Sequence, residues 1–484
     1  MRAAGVRGTA SGPPRGIRHE PTHRLQLLPQ KRNRRHFVKV IVIGGGWSGC
    51  AAAVSAARQG AQVTLLERTD ALLGTGLVGG IFRNNGRFTA TEEMIAMGGG
   101  EMFHAMDACA LHRDIEFPGH RHASLYNIST IEPQVQRALA AAGVDVRYQV
   151  RITDVELDGR RIVAVRTKKN EGDLRFEADA FVETTGTAGV PNICTRHGNG
   201  CAMCILRCHT FGIRVGVAAR CGVKEIDGHK LDQFGAMSGS CKLHKESLAP
   251  EIAEQLNRTG VVVVPIPRTG DAGSEKLEIK ACQQYALPEY QENIVLLNTG
   301  HAKLMTPYFP QGELRKVPGF ENARFEDPYA GGVGNSIRFL GMAPRDDALK
   351  VDGVDNLFCA GEKAGLLVGH TEAVVTGVLA GHNAARRAAG EPPLVLPGTL
   401  AIGDAISHVR EQMQTEKGLG LKFTFSGSVY FERMKERGSY SIDVAAIRQR
   451  VEAAGLTGVF ARGRQPRRAT RRGPRKRWPD QPQG

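Results

Sequence analysis

The stretch Val38-Lys39-Val40-Ile41-Val42-Ile43-Gly44-Gly45-Gly46-Trp47-Ser48-Gly49 decides the fold. Apart from Lys39, its first six residues are apolar and β-branched, the composition of a strand buried on both faces of a parallel sheet. Three glycines end that strand. Residues 47–59 follow, rich in alanine with small residues at helical spacing, and Gly60 closes them. Residues 63–67 then read as a second strand. Strand, helix and strand in this order predict an α/β protein with a Rossmann-type parallel sheet.

Within that unit, Gly44-x-Gly46-x-x-Gly49 predicts a dinucleotide site, because each glycine has a separate task. Gly44 permits the tight turn, Gly46 lets the backbone approach a pyrophosphate, and Gly49 lets helix and strand pack closely. The helix start offers free N–H groups and a partial positive charge to the phosphates. Glu67 ends the second strand 18 residues after Gly49 and is placed to accept the hydrogen bonds of an adenosine ribose. Gly331-Gly332-Val333-Gly334 lacks the spacing of a second such site. One bound dinucleotide is expected.

Further out, residues 131–142 carry a helical pattern. Residues 144–150, 151–157 and 162–167 read as strands, the last two joined by the turn Asp158-Gly159. Residues 178–183 form another apolar strand. The middle, about 190–345, is cysteine-rich at its start and then irregular, with a strand at 261–265 and a loop at 307–318. Residues 356–360 read as a final strand, 371–387 as a helix, and 400–460 as amphipathic pieces that pack back on the body. The expected organisation is a basic tail (1–37), the nucleotide-binding domain in two parts (38–190 and 346–390), and an inserted α+β region for substrate and cysteine cluster (191–345). A helical extension (391–460) and a second basic tail (461–484) complete it.

The chain has 484 residues and a formal charge of +15, which invites a nucleic-acid reading. Position removes the invitation. Residues 1–37 carry +8 and residues 461–484 another +8, so the body between them is close to neutral, about −1. Nucleic acid is therefore not the expected partner of the body. Both tails are rich in Arg, Pro and Gly and poor in apolar residues, and they are expected to be disordered, with the native start near Val38. No run of about 18 apolar residues predicts a membrane span, and no secretion signal is legible. A cytoplasmic protein is expected.

Ten cysteines are too sparse for a disulfide scaffold. Cys194, Cys201, Cys204 and Cys208 cluster as C-x6-C-x2-C-x3-C, close to a ferredoxin-type pattern except that His209 stands where proline is usual. Four readings fit this spacing. The cysteines ligate a 4Fe-4S cluster, which is the leading expectation; Cys201 and Cys204 form a redox dithiol; the set binds zinc; or the thiols pack as small hydrophobes on one helical face.

Three segments then carry a family resemblance. Asn356-Leu357-Phe358-Cys359-Ala360-Gly361-Glu362, with Gly369-His370-Thr371-Glu372-Ala373 and the Gly377 and Gly381 helix, resembles the second FAD motif of glutathione-reductase-like flavoproteins. The resemblance implies that Glu362 contacts the ribityl chain and that the following helix points its start at the flavin. Phe181-Val182-Glu183-Thr184-Thr185-Gly186 is similar to the strand ending at Gly186 on the adenine side of those proteins. Residues 315–387 look like the glucose-inhibited division protein A family and the folate-dependent tRNA uracil methyltransferases, flavoproteins that modify tRNA uridines. Against that, Leu72-Leu73-Gly74-Thr75-Gly76-Leu77-Val78-Gly79-Gly80 stands where the division protein family has a Cys-containing motif. The body as a whole is similar to FAD-dependent oxidoreductases related to the heterodisulfide reductase flavin subunit.

The resemblance implies FAD and an oxidoreductase acting on a small molecule, with room for an electron-transfer protein partner. The alternative is a flavin-dependent tRNA uridine-modifying enzyme. His370, just before the helix aimed at the flavin, joins Cys201 and Cys204 as a candidate catalytic residue. His104, His112, His120, His122 and His209 are weaker candidates for a general acid. Arg83-Asn84-Asn85-Gly86-Arg87 is a candidate lining of the flavin pocket.

Overall fold

The computed structural model describes residues 37–461 apart from 168–171, 187–215, 231–232, 235, 267–286, 306–308, 327–334 and 339. Except for Phe37 and Ala461, the basic tails lie outside the described residues. So do Cys194, Cys201, Cys204, Cys208 and His209.

A five-stranded parallel sheet forms the centre. Its order is β20 (Leu357–Cys359), β10 (Ala180–Glu183), β1 (Lys39–Ile43), β2 (Gln62–Leu66) and β6 (Asp145–Arg147). β1 lies in the middle, so Val40, Ile41, Val42 and Ile43 are all buried, and Val42 faces Val182 on one side and Leu65 on the other. Each fully buried side chain of this kind contributes about 1.5–3 kcal/mol, and that gain is why the strand is apolar without alternation. β6 is shorter than the strand expected over 144–150. Gln149 takes φ +56°, and Gln149 and Val150 donate to the carbonyls of Thr69 and Glu67, which pulls the chain over the loop that follows β2.

Two long helices cover the sheet: α1 (Trp47–Arg58), and α7 (His370–Ala388), which packs on α1. Their approach is set by glycine. A Cβ on Gly377 would stand 2.3 Å from the Ser48 carbonyl oxygen, and one on Gly381 only 2.0 Å from that of Ala52. No side chain fits there. α1 is in turn buried from Trp47 to Ala56, which explains its run of alanines.

Smaller antiparallel sheets surround this centre. β3 (Ile81–Phe82), β4 (Ala110–Phe117) and β5 (His120–Tyr126) form one, and β7 (Ile152–Asp158), β8 (Arg161–Thr167) and β9 (Arg175–Glu177) another. The expected turn at Asp158-Gly159 joins β7 and β8, with Gly159 at φ +57°. In the middle of the chain, β11 (Ile226–Lys230) pairs with β12 (Gln233–Phe234) and β19 (Leu340–Met342), and β13 (Ala236–Gly239) with β18 (Asn335–Arg338). A four-stranded sheet follows, in the order β14 (Cys241–Leu243), β17 (Ala302–Leu304), β16 (Asn293–Asn298) and β15 (Val261–Pro265). It has its own apolar core, including Leu243, Leu256, Leu296, Leu304 and Phe320. Where a loop was expected over 307–318, a short helix spans Gln311–Leu314, because Pro310 pre-sets the backbone ahead of its first turn.

Helices α2 (Gly86–Ala96), α3 (Glu101–Ala108) and α4 (Ile131–Ala141) lie between β3 and β6; α5 (Val217–Arg220) and α6 (Pro250–Thr259) belong to the middle. The C-terminal helices α8 (Ala401–Gln412), α9 (Ser428–Glu436) and α10 (Val444–Ala453) pack on the body. The carboxylate of Glu93, on α2, accepts the first N–H groups of α8 from Ala401 (2.9 Å) and Ile402 (3.1 Å). Asp404 on α8 accepts from Arg433 and Tyr430 on α9. Among the described residues, no helix is long and apolar enough to cross a membrane.

Candidate functional site

A cleft runs along the carboxyl ends of the parallel strands, where open α/β sheets bind ligands. Gly44, Gly46 and Glu67 line it together with Gly186, Gly361, Glu362, Gly369 and His370. The three glycines divide their tasks. Gly44 takes φ +106°, and a Cβ there would stand 2.5 Å from the Thr184 carbonyl oxygen. Gly49 lies beneath the cleft, where a Cβ would collide with the Gly44 carbonyl oxygen at 1.8 Å. At Gly46 a Cβ would meet nothing within 4 Å, so the space over this backbone is open.

Two helix starts face the cleft. α1 begins at Gly46 and α7 at Gly369, both without a side-chain cap, so their first N–H groups have no intrahelical acceptor. The only acid in either first turn, Glu372, is turned away from the cleft. It is fully buried and accepts from Arg87 Nε (3.0 Å), the Thr424 hydroxyl (2.6 Å) and the Phe425 N–H (2.9 Å). The positive ends of both helices therefore remain available to an anionic ligand. Beside His370, the buried Thr371 hydroxyl has no partner among the described residues.

Glu67 has a role that its spacing did not disclose. One carboxylate oxygen accepts the Gly45 N–H at 2.7 Å, and the other accepts the N–H and hydroxyl of Thr69 at 2.8 and 2.9 Å. It therefore braces the glycine turn. The oxygen facing Gly45 keeps a second lone pair for a ribose hydroxyl.

The segment 74–80 is seated against aromatic rings. A Cβ on Gly76 would meet Trp47 Nε1 at 2.4 Å, and one on Gly79 the His370 ring at 1.6 Å. Trp47 meets Tyr126 edge to face at 6.0 Å, and the Tyr126 hydroxyl lies 3.1 Å from His370 Nδ1. Lys303, reaching over from β17, donates to the carbonyls of Val78 and Gly79. Trp47, Tyr126 and Lys303 were not singled out from the sequence. Trp47 directly follows the glycine turn and was the one legible signal.

Several expectations fall elsewhere. Arg83 pairs with Glu92 and Asp107, and Arg87 with Glu372, so neither lines the cleft. Asn85 bonds instead to backbone carbonyls of Gly119 and Ser426. His112 contacts Asn298, His120 contacts Asn84, and His122 contacts Asp114, while His104 is exposed on α3. None of these histidines is at the cleft. Among the described residues, no His, Cys, Asp or Glu group is arranged to hold a metal. The described cysteines are free thiols, and burial pushes those of Cys221 and Cys359 up to about 12 and that of Cys50 higher still. These three are packing residues, not nucleophiles.

The comparisons decide the ligand. Residues 39–195, which hold the glycine turn, Glu67 and Gly186, match the FAD dependent oxidoreductase family model. The chain is an FAD-dependent oxidoreductase. Residues 290–392 of this flavoenzyme match the model of glucose inhibited division protein A. Its fold is similar to that of GidA from Aquifex aeolicus. The form II crystal structure aligns with a TM-score of 0.62 at 18% identity over 87% of this chain and 74% of that one. The form I crystal structure gives 0.59 at 18% identity over 88% and 78%.

The residues present fit FAD. An open backbone stands at Gly46, two uncapped helix starts converge on one cleft, and the Glu67 carboxylate lines it.

Proposed function

We propose that this flavoenzyme oxidises or reduces a small organic molecule, with His370 as the residue that exchanges the substrate's proton. Gly44–Gly46 and the start of α1 would hold the pyrophosphate of FAD, Glu67 its adenosine ribose and Glu362 its ribityl chain, and the start of α7 would face its ring system. Bound FAD supplies two-electron chemistry, taking or giving a hydride. The carrying observation is the meeting of the two uncapped helix starts at a single cleft that His370 also lines. The protein holds the cofactor through backbone N–H groups, and a histidine is the side chain suited to proton exchange near neutral pH.

In the same reading, Cys194, Cys201, Cys204 and Cys208 relay electrons, either as an iron-sulfur cluster or through a Cys201–Cys204 disulfide; their spacing supports it. Anaerobic purification tests both levels. Flavin absorption bands with bound iron and sulfide are expected. A protein with neither iron nor a Cys201–Cys204 disulfide loses the relay, and one without flavin loses the whole reading.

A second reading, modification of a tRNA uridine, is favoured by the division-protein match over 290–392. It requires salt-dependent tRNA binding by residues 38–460, since phosphate contacts release counterions. No binding at low salt removes it.

A further inference from the structure

We propose that Ser129, His301 and Glu326 form a second catalytic site, which hydrolyses carboxylic esters through an acyl-serine. The proposal goes beyond the flavin reading and does not depend on it, because none of the three residues lines the flavin cleft.

Three side chains from distant segments stand in line. The Ser129 hydroxyl lies 3.3 Å from His301 Nε2, and His301 Nδ1 meets a carboxylate oxygen of Glu326. An ionised carboxylate can only accept, so in the neutral ring the proton sits on Nδ1 and Nε2 keeps its lone pair. The serine proton is then directed at that lone pair, and among the described residues the hydroxyl has no other partner. Glu326 in turn has Lys242 Nζ 3.8 Å from its other carboxylate oxygen. Nucleophile, base and an acid that orients the base are the parts an acyl-transfer centre needs.

The backbone holds this line in place. The Ile128 N–H donates to the Thr299 carbonyl at 3.1 Å, which clasps the turn between β16 and β17 to the segment ahead of α4. Gly300 permits the approach: it takes φ +97°, and a Cβ there would stand 2.5 Å from Asn127 Oδ1. That same oxygen accepts the Ser129 N–H at 2.9 Å. The Glu326 N–H is bonded to the carbonyl of Lys242 on β14 at 2.9 Å. The Ser129 hydroxyl takes no part in these bonds and is left to the histidine.

Ser129 is exposed, whereas the side chains of His301 and Glu326 are 23% and 15% exposed, so the nucleophile meets solvent while the groups that activate it are largely covered. Shortly after it, α4 begins at Ile131 with no side chain capping its first turn, and Glu132, the acid of that turn, accepts the Leu72 N–H at 2.7 Å. The helix start adds partial positive charge close to the serine, which favours a developing oxyanion. In the reaction, Oγ bonds to the ester carbonyl carbon as its proton passes to Nε2. The bond to the leaving alcohol then breaks, and Nε2 returns the proton to that oxygen. Water, deprotonated by the same nitrogen, attacks the acyl carbon, and Oγ leaves and recovers its proton. An ester and a water become a carboxylic acid and an alcohol, and no electrons change hands.

The test uses the full chain and two probes, a fluorophosphonate and p-nitrophenyl acetate. Wild-type protein is expected to gain a phosphonyl group on Ser129, located by peptide mass spectrometry, and to turn over the ester. Labelling needs no variant, and its absence from Ser129 overturns the proposal. Ser129→Ala is expected to lose the label and the turnover; hydrolysis at the wild-type rate overturns the proposal as well. His301→Gln is expected to slow labelling and hydrolysis about a hundredfold or more, and unchanged labelling would overturn the role of the base. Glu326 is a positioning residue that acts through the ring. Glu326→Gln is expected to lower kcat by about tenfold or more with KM little changed, and Glu326→Asp to recover part of the loss; a change in KM alone overturns that role.

Discussion

Helix α7 is secured in two ways along its length. Where it lies on α1, Gly377 and Gly381 place bare backbone against the carbonyls of Ser48 and Ala52, and the contact exists because side chains are missing. At its first turn the contact exists because side chains are present: Glu372 and Arg87, 285 residues apart, form a buried ion pair completed by Thr424 and Phe425. The crossing of the two helices falls to the backbone, and alignment of the first turn of α7 falls to charge. The backbone half needs local spacing alone. The charged half needs distant segments to arrive together, and it fails more severely if one member is lost.

The sharpest way to break that contrast is Arg87→Leu. It leaves Glu372 ionised and buried, and it is expected to cost about 3–5 kcal/mol in urea unfolding. A loss below about 1 kcal/mol, within the range of an exposed pair, would show that charge does not hold the first turn. Glu93 offers the next largest effect. Burial raises its carboxyl to about 7 despite the two α8 N–H groups and Arg450. The folded protein therefore binds this proton more tightly than the unfolded chain, whose carboxyl titrates near 4.5. Its contribution is fully present below about 4.5 and is lost as pH rises through about 7, on the order of 3 kcal/mol in all. Glu93→Gln should flatten the dependence of stability on pH across that window; an unchanged profile would place the titration elsewhere. The smallest effect on stability belongs to Gly46→Ala. Its Cβ would enter open space, so unfolding should shift by less than about 1 kcal/mol while flavin affinity drops at least tenfold. Equal flavin affinity would mean that the pyrophosphate does not approach this backbone.

The same contrast explains what the sequence disclosed. Gly44, Gly46 and Gly49 were readable because a backbone approach leaves a mark within six residues, and Gly377 and Gly381 because a close helix crossing repeats every four. The parallel sheet was readable from the unbroken apolar run of β1. Tyr126 and His370 lie 244 residues apart, and Lys363, fully buried, meets Glu183 and Glu225 from equally distant segments. Such pairs have no period and no spacing. Arg83 to Arg87 looked like a pocket lining because a run of polar residues after glycines usually faces solvent or ligand. Here it turns inward, since Glu372 and Asp107 offer it partners that only the folded chain supplies.

The seal over Glu372 has a consequence for synthesis. The cleft opens with β1 near one end of the chain, yet the Thr424 and Phe425 groups that complete the first turn of α7 leave the ribosome only when most of the protein has been made. Until then a nascent chain carries the glycine turn but not the helix start that faces it across the cleft.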